Sequence, residues 1–209
     1  MSAPMPPVHL SMIRGFHLAD FLTLANAACG VLAIFAVMAY VEARTPQRLL
    51  AATGLIPLAL IFDVLDGRVA RSRQKHSAMG RELDSLADVI SFGVAPAAIA
   101  YGAGMRGLWD VVILVYFVCC GVSRLARFNI TAEEIAADSG KVTYFEGTPI
   151  PSSLVLVGVV AVSAWLGRIG HALPFGAVHL GFGQLHPLVL IWALSGSLMI
   201  SKTIRIPKL

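Results

Sequence analysis

The sequence predicts an all-α, polytopic membrane protein of six transmembrane helices, with a metal-binding polar site near the cytoplasmic face. Three observations lead there. The 209 residues are 57% hydrophobic and 13% charged, with a mean hydropathy of +0.77, against roughly 25% charged residues in a soluble domain. The apolar residues gather into six runs, each near the roughly 20 residues that a helical span needs. Four aspartates, Asp63, Asp66, Asp84 and Asp88, fall among the apolar runs rather than between them.

The runs are residues 16–40, 49–71, 83–105, 108–128, 151–166 and 185–200. Residues 1–15, with three prolines near their start, read as an N-terminal tail; the apolar run after them is long and has no basic lead beyond Arg14, unlike a cleavable signal. Residues 16–209 then form one six-helix transmembrane domain. The Gly-rich stretch 171–184 reads as a loop, and Glu133, Glu134 and Asp138 read as a solvated acidic loop. Cys29, Cys119 and Cys120 lie inside apolar runs and read as small core residues, not as a disulfide framework or metal site.

Orientation follows from the basic residues. With six spans, both termini and the second and fourth loops share a side that holds twelve lysines and arginines; the other side holds four. The excess predicts that both termini, and the aspartates with them, face the cytoplasm. The net charge of +4 is spread beside the spans, which favours anionic headgroups over nucleic acid as its partner.

A carboxylate in hydrocarbon is costly and needs a partner or a task. On a helix, Asp66 lies about 60° to one side of Asp63, Gly67 about 40° to the other and Ala70 about 20° away. Asp84 and Asp88 lie about 40° apart on the third span, with Gly80, Ala87 and Ser91 near the same stripe. The short turn 72–79 predicts antiparallel neighbours, so two acid stripes face each other with room between them. Four carboxylates so close repel unless cations neutralise them. Hard oxygen ligands suit Mg²⁺ or Mn²⁺, and such ions bind substrate phosphates as well. Arg68 and Arg71 can add phosphate contacts. A cation-coupled transporter also uses intramembrane carboxylates, but the repeated halves common in transporters are absent from the sequence.

The stretch Asp63-x-x-Asp66-Gly67-x-x-Ala70-Arg71, eight further residues, then Gly80-x-x-x-Asp84-x-x-x-Asp88 resembles the full signature of the CDP-alcohol phosphotransferases. "FHLADFLTLANAACG", "SFGVAPA", "SRLARFN" and "YFEGTPIP" resemble the membrane-integral phosphatidylserine synthase branch. The resemblance implies a homodimer that transfers the phosphatidyl group of CDP-diacylglycerol to L-serine. It implies two divalent cations held by Asp63, Asp66, Asp84 and Asp88, with Asp88 also the general base. Asp63, Asp66, Gly67, Arg68, Ala70, Arg71 and Gly80 would bind the donor. Sister transferases using an archaeal-type ether lipid donor, inositol phosphate or glycerol phosphate are the alternatives within the family.

Serine brings a carboxylate, which suits an arginine fork. Arg124 and Arg127 share a helix face, and Asn129 follows them. The branch resemblance favours Arg127 for the serine carboxylate, with Arg124 there or at the donor phosphate. Glu146 either meets the serine ammonium or caps its loop. Asn26 reads first as a helix–helix hydrogen-bonding residue, and the resemblance adds a substrate contact as an alternative.

Overall fold

The computed structural model describes residues 17–72, 78–137, 144–201 and 205–207. The N-terminal tail and most of the 72–79 turn lie outside them. So do Asp138 and the side chains of Ala70, Arg71 and Glu146.

The chain is mostly helical. Helix α1 runs Leu18–Ala43, α2 Pro46–Ser72, α3 Ala78–Asp88, α4 Ala95–Ala103, α5 Leu108–Ala137, α6 Ser153–Trp165 and α7 Leu190–Ile200. Each boundary has a local cause. At the start of α1 the Asp20 carboxylate accepts the His17 N–H at 2.7 Å, satisfying a donor that helix geometry would otherwise orphan. Its end is a left-handed Arg44 (φ 54°), whose N–H donates to the Tyr40 carbonyl. Pro46 then opens α2 at a position where no N–H is needed. Pro57 within α2 leaves the Thr53 carbonyl without its helical donor.

The third apolar run is one rod with a wider turn in it. Between α3 and α4, residues Val89–Val94 form a π-helical turn, and the Ala95 N–H donates to the Ile90 carbonyl, five residues back. Such turns re-aim the side chains beside them, and this one begins immediately after Asp88. Pro96 follows in the first turn of α4.

Among the described residues, four helices are long and apolar enough to cross a membrane: Leu18–Ala43, Pro46–Val69, Met79–Ala103 and Leu108–Thr131. The last two apolar helices, Ile150–Trp165 and Pro187–Ile200, are shorter. The elements alternate in direction. Thr23 of α1 meets Asp66 near the end of α2, whereas Asn26 of α1 meets Asp88 early in the third rod. Helices α5 and α7 run parallel, tied by Asp110 to His186 at their starts and by Arg127 to Ile200 at their ends.

Helix α1 is the organising element. It packs along α2, α3, the π-turn and α4, while α2 makes little direct contact with α3 among the described residues. The expectation that the two acid helices lie side by side is therefore corrected: α1 spaces them, and they approach through their carboxylates. The approach of α1 to the π-turn is close. A Cβ on Gly30 would meet Ser91 Oγ at 2.6 Å and Ser91 Cα at 2.8 Å. Ser91 Oγ there donates to the Asn26 carbonyl at 2.8 Å.

The core is built of Ala33, Val37, Ile56, Phe92, Ile99, Phe117, Val160 and Trp192 with their neighbours. Large exposed side chains, among them Phe35, Met38, Ile61 and Val115, form the outer face, as expected where lipid is the solvent.

Three expectations need correcting. Glu133 and Glu134 are helical, because α5 continues to Ala137. The 171–184 stretch contains an antiparallel hairpin of β2 (Val178–Leu180) and β3 (Gly183–Leu185), since Leu180–Gly181–Phe182–Gly183 supplies a tight turn with Gly181 at φ 60°. Cys119 is exposed on α5, whereas Cys29 and Cys120 are buried; all three are free thiols. A second pair of strands, β1 (Tyr144–Glu146) and β4 (Arg205–Pro207), lies at the other end of the bundle, with Glu146 opposite Arg205.

Candidate active site

The aspartates meet at the end of the bundle where α1 begins and α2 ends. Carboxylate oxygens of Asp63, Asp66 and Asp84 all lie within 4.8 Å of one another. Asp66 is buried, and Asp63 and Asp84 are half-buried. Asp66 Oδ2 accepts a hydrogen bond from Thr23 Oγ1 at 2.6 Å. Asp84 Oδ1 is buried with no hydrogen-bond partner among the described residues. A buried carboxylate oxygen left unmatched is expensive, and three carboxylates this close repel strongly. Both features fit a cation-binding site, and an all-carboxylate donor set fits a hard divalent ion.

Asp88 stands outside this trio. It is buried, one helical turn beyond Asp84, and its Oδ1 accepts from Asn26 Nδ2 at 3.3 Å. Asp84 and Asp88 together form one wall of a cavity of about 310 Å³. Arg81, Ser85, Arg124 and Asn129 supply the other polar groups, and Pro149, Ile150 and Pro151 close it from the start of α6. Asp84 thus belongs both to the trio and to the cavity.

The remaining residues singled out from the sequence divide. Gly67 and Gly80 are half-buried on the acid helices, and Arg68 is exposed. Arg124 lines the cavity, and its Nε is buried without a hydrogen-bond partner among the described residues. Arg127 does not line it; its Nη1 donates to the Ile200 carbonyl at 3.5 Å, at the C-terminus of α7. Asn129 lines the cavity and donates to Ser85 Oγ at 3.0 Å, tying α5 to α3. Gly147 precedes the α6 entry at φ 72°, and a Cβ there would meet the Met199 carbonyl at 2.3 Å. Only glycine fits both conditions, so the "EGTPIP" segment is pinned against α7 beside the cavity mouth.

Thr23, Asp20, Arg81 and Ser85 were not identified from the sequence. Thr23 and Asn26 are three apart on α1 and so share a face; with Asp20 they form an i, i+3, i+6 polar stripe in an otherwise apolar run. That stripe was the available signal.

The sequence profile of the CDP-alcohol phosphatidyltransferase family matches residues 16–195. The chain belongs to this family. This CDP-alcohol phosphatidyltransferase is 45% identical over 203 residues to a CDP-diacylglycerol–serine O-phosphatidyltransferase of Saccharomyces cerevisiae, covering 96% of the chain and 74% of the yeast protein. It is 38% identical over 151 residues to the Mycobacterium tuberculosis protein of the same name, covering 70% of the chain and 52% of that relative. An archaetidylserine synthase of Methanothermobacter thermautotrophicus is 35% identical over 158 residues, covering 74% of the chain and 62% of the relative. The chain therefore spans about three-quarters of the yeast relative and a little over half of the mycobacterial one.

Proposed function

We propose that this CDP-alcohol phosphatidyltransferase is a phosphatidylserine synthase, transferring the phosphatidyl group of CDP-diacylglycerol to the hydroxyl of L-serine and releasing CMP. The observation that carries the reading is the position of Asp84. It joins a carboxylate trio suited to a donor's pyrophosphate to a cavity suited to a small polar acceptor. Relatives from a yeast and a mycobacterium carrying that activity in their names support the choice of acceptor.

Asp63, Asp66 and Asp84, with Asp88 beside them, would hold two divalent cations, Mg²⁺ or Mn²⁺, which when bound neutralise the pyrophosphate and the departing CMP. Gly67, Ala70 and Gly80, the residues with least side chain on these helices, would take the cytidine end, and Arg68 and Arg71 follow on α2 for phosphate contacts. Serine enters the 310 Å³ cavity. Arg124 meets its carboxylate, and Asn129 and Ser85 offer hydrogen bonds to its polar groups. Glu146, on the strand before the cavity mouth, is the candidate for the ammonium by its place in the chain.

Asp88 is the general base. Its Oδ1 is engaged by Asn26, which leaves Oδ2 for the serine hydroxyl. As the hydroxyl proton passes to Asp88, the serine oxygen attacks the lipid-side phosphorus and the bond to CMP breaks. The proton is later returned to solvent. Asp88 is buried, which limits the access of bulk water that would otherwise compete with serine as acceptor.

The bundle makes six passes, with α6 and α7 the last two, in one catalytic domain of residues 16–209. Both termini and the active site face the cytoplasm, in line with the basic-residue excess, and the protein works as a homodimer. The archaetidylserine synthase among the relatives supports a second reading, in which an ether-lipid donor replaces the diacyl one with the same acceptor. Purified protein in detergent, given CDP-diacylglycerol and labelled serine, tests the proposal. CMP release that requires both serine and a divalent cation is expected. CMP release with glycerol phosphate or inositol phosphate but not serine would refute it.

A further inference from the structure

At the end of the bundle opposite the aspartates, the chain between α6 and α7 has an unusual surface. Residues 169–201 contain no Asp, Glu, Lys or Arg. The large apolar side chains before and within this segment are turned outward: Trp165 is 80% exposed, Phe175 79% and Phe182 87%, with Leu166, Val178 and Leu180 also exposed. Phe175 holds a left-handed backbone (φ 69°), a strained state for a bulky residue. That strain is kept in a conformation that displays the ring rather than burying it.

The segment has fixed internal order. Strands β2 and β3 pair in register, Val178 with Leu185 and Leu180 with Gly183. The hairpin is fastened to the start of α5, where Trp109 Nε1 donates to the Leu180 carbonyl at 3.0 Å and the Trp109 ring lies 6.0 Å from that of Phe182. His186 is held by Asp110 through both its N–H and its Nδ1. An apolar, uncharged surface of this size on an ordered element calls for an occupant.

Helix length says which one. Ile150–Trp165 rises roughly 24 Å, against roughly 30 Å of hydrocarbon in a bilayer. A helix this short, entering from the acid end, finishes at or just inside the far boundary of the hydrocarbon. The exposed rings follow that point in the chain, and the hairpin that carries Phe182 packs on the start of α5, where Leu108, Val111 and Val112 are exposed as well. Aromatic side chains favour this boundary, and backbone paired within a hairpin tolerates its low water content.

We propose that the 165–185 segment is an interfacial anchor, with Trp165, Phe175 and Phe182 seated in the headgroup–acyl boundary of the leaflet opposite the aspartates. Its partner is the phospholipid surface itself. The hairpin carries no charged residue and Arg168 is the one Asp, Glu, Lys or Arg in the segment, so binding rests on apolar contact rather than on anionic lipid. The anchor compensates for the short α6 and α7 by holding their ends at membrane depth.

The test uses a nitroxide label at Phe182→Cys, in a Cys119→Ala background, in phosphatidylcholine proteoliposomes. Phe182 is almost wholly exposed, so the substitution removes only its ring contact with Trp109; an unchanged unfolding midpoint verifies that the hairpin stays in place, and Val178→Cys is the second label position. Collision with oxygen, which partitions into lipid, is compared with collision with a water-soluble nickel chelate. The anchor predicts a high oxygen rate and a nickel rate reduced severalfold from that of label free in buffer, at both positions. A nickel rate close to that of free label means the hairpin stands in water and overturns the proposal. Low rates for both reagents with spin–spin broadening mean that a second copy covers the surface, which overturns it equally.

Discussion

Asn26 on α1 donates to Asp88 Oδ1 at 3.3 Å, while its own carbonyl accepts from Ser91 Oγ at 2.8 Å. The π-turn thereby holds the backbone of Asn26, and the side-chain amide of Asn26 holds the carboxylate. Asn26→Leu removes the donor at similar volume. The expected outcome is a fall in kcat on the order of tenfold to a hundredfold, with KM for CDP-diacylglycerol within about threefold of the parent. Steady-state kinetics at varied donor concentration measures both. A rise in donor KM with kcat intact would place Asn26 at the donor instead.

Thr23 plays the matching part for Asp66, through a 2.6 Å hydrogen bond. Thr23→Val is isosteric and lacks the hydroxyl, whereas Thr23→Ser retains it. The valine variant is expected to need about 10 to 100 times more Mn²⁺ for half-maximal activity, and the serine variant to stay near the parent. Equal Mn²⁺ requirements in valine and serine variants would remove Thr23 from the support of the acid trio.

The trio itself predicts dependence on a divalent ion. Asp63→Asn, Asp66→Asn and Asp84→Asn should each lower turnover on the order of 100-fold or more. EDTA should abolish activity, and added Mg²⁺ or Mn²⁺ should restore it. Full turnover after exhaustive chelation contradicts this assignment.

The two arginines separate by environment. Arg124 lines the cavity and Arg127 reaches the end of α7. Lysine keeps the charge and loses the planar fork. Arg124→Lys is expected to raise KM for serine about tenfold, with donor KM little changed. Arg127→Lys is expected to lower the unfolding midpoint with a smaller effect on serine KM. The reverse pattern would exchange their roles.

The Asp110–His186 pair is far from the chemistry. Asp110 is fully buried and accepts from the Gly107 N–H, the His186 N–H and His186 Nδ1 at 2.6–2.8 Å. Asp110→Ala leaves those donors unmatched and should cost about 1–3 kcal/mol for each group stranded. Thermal unfolding in detergent should register the loss, with serine KM unchanged in the protein that remains folded.

Much of this arrangement was legible in the sequence because its signals are periodic. Helical spacing put Asp63 and Asp66 on one stripe, the short 72–79 turn brought Asp84 opposite them although α1 spaces the two helices, and the apolar runs marked the helices. What was not legible depends on tertiary contact. The role of α1 as the spacer between the acid helices rests on Gly30 against Ser91, a close approach that no local pattern announces. The π-turn after Asp88 leaves no hydropathy signature, because inserting a residue in a buried apolar helix changes no residue type. Arg124 and Arg127 share one face by spacing, yet α7 captures the second; only the position of Ile200 decides between them. The hairpin was hidden because its strands, three residues each, are too short for alternation to register.

The central claim is that Asp88 takes the serine proton while its neighbours hold the donor. Asp88→Asn keeps the volume and a side-chain oxygen but cannot accept a proton at neutral pH. CDP-diacylglycerol affinity and serine-dependent CMP formation should be measured on one preparation of this variant. The account predicts donor affinity within a few-fold of the parent and turnover lower by about 100-fold or more. Near-normal turnover, or parallel loss of affinity and turnover by similar factors, would contradict it.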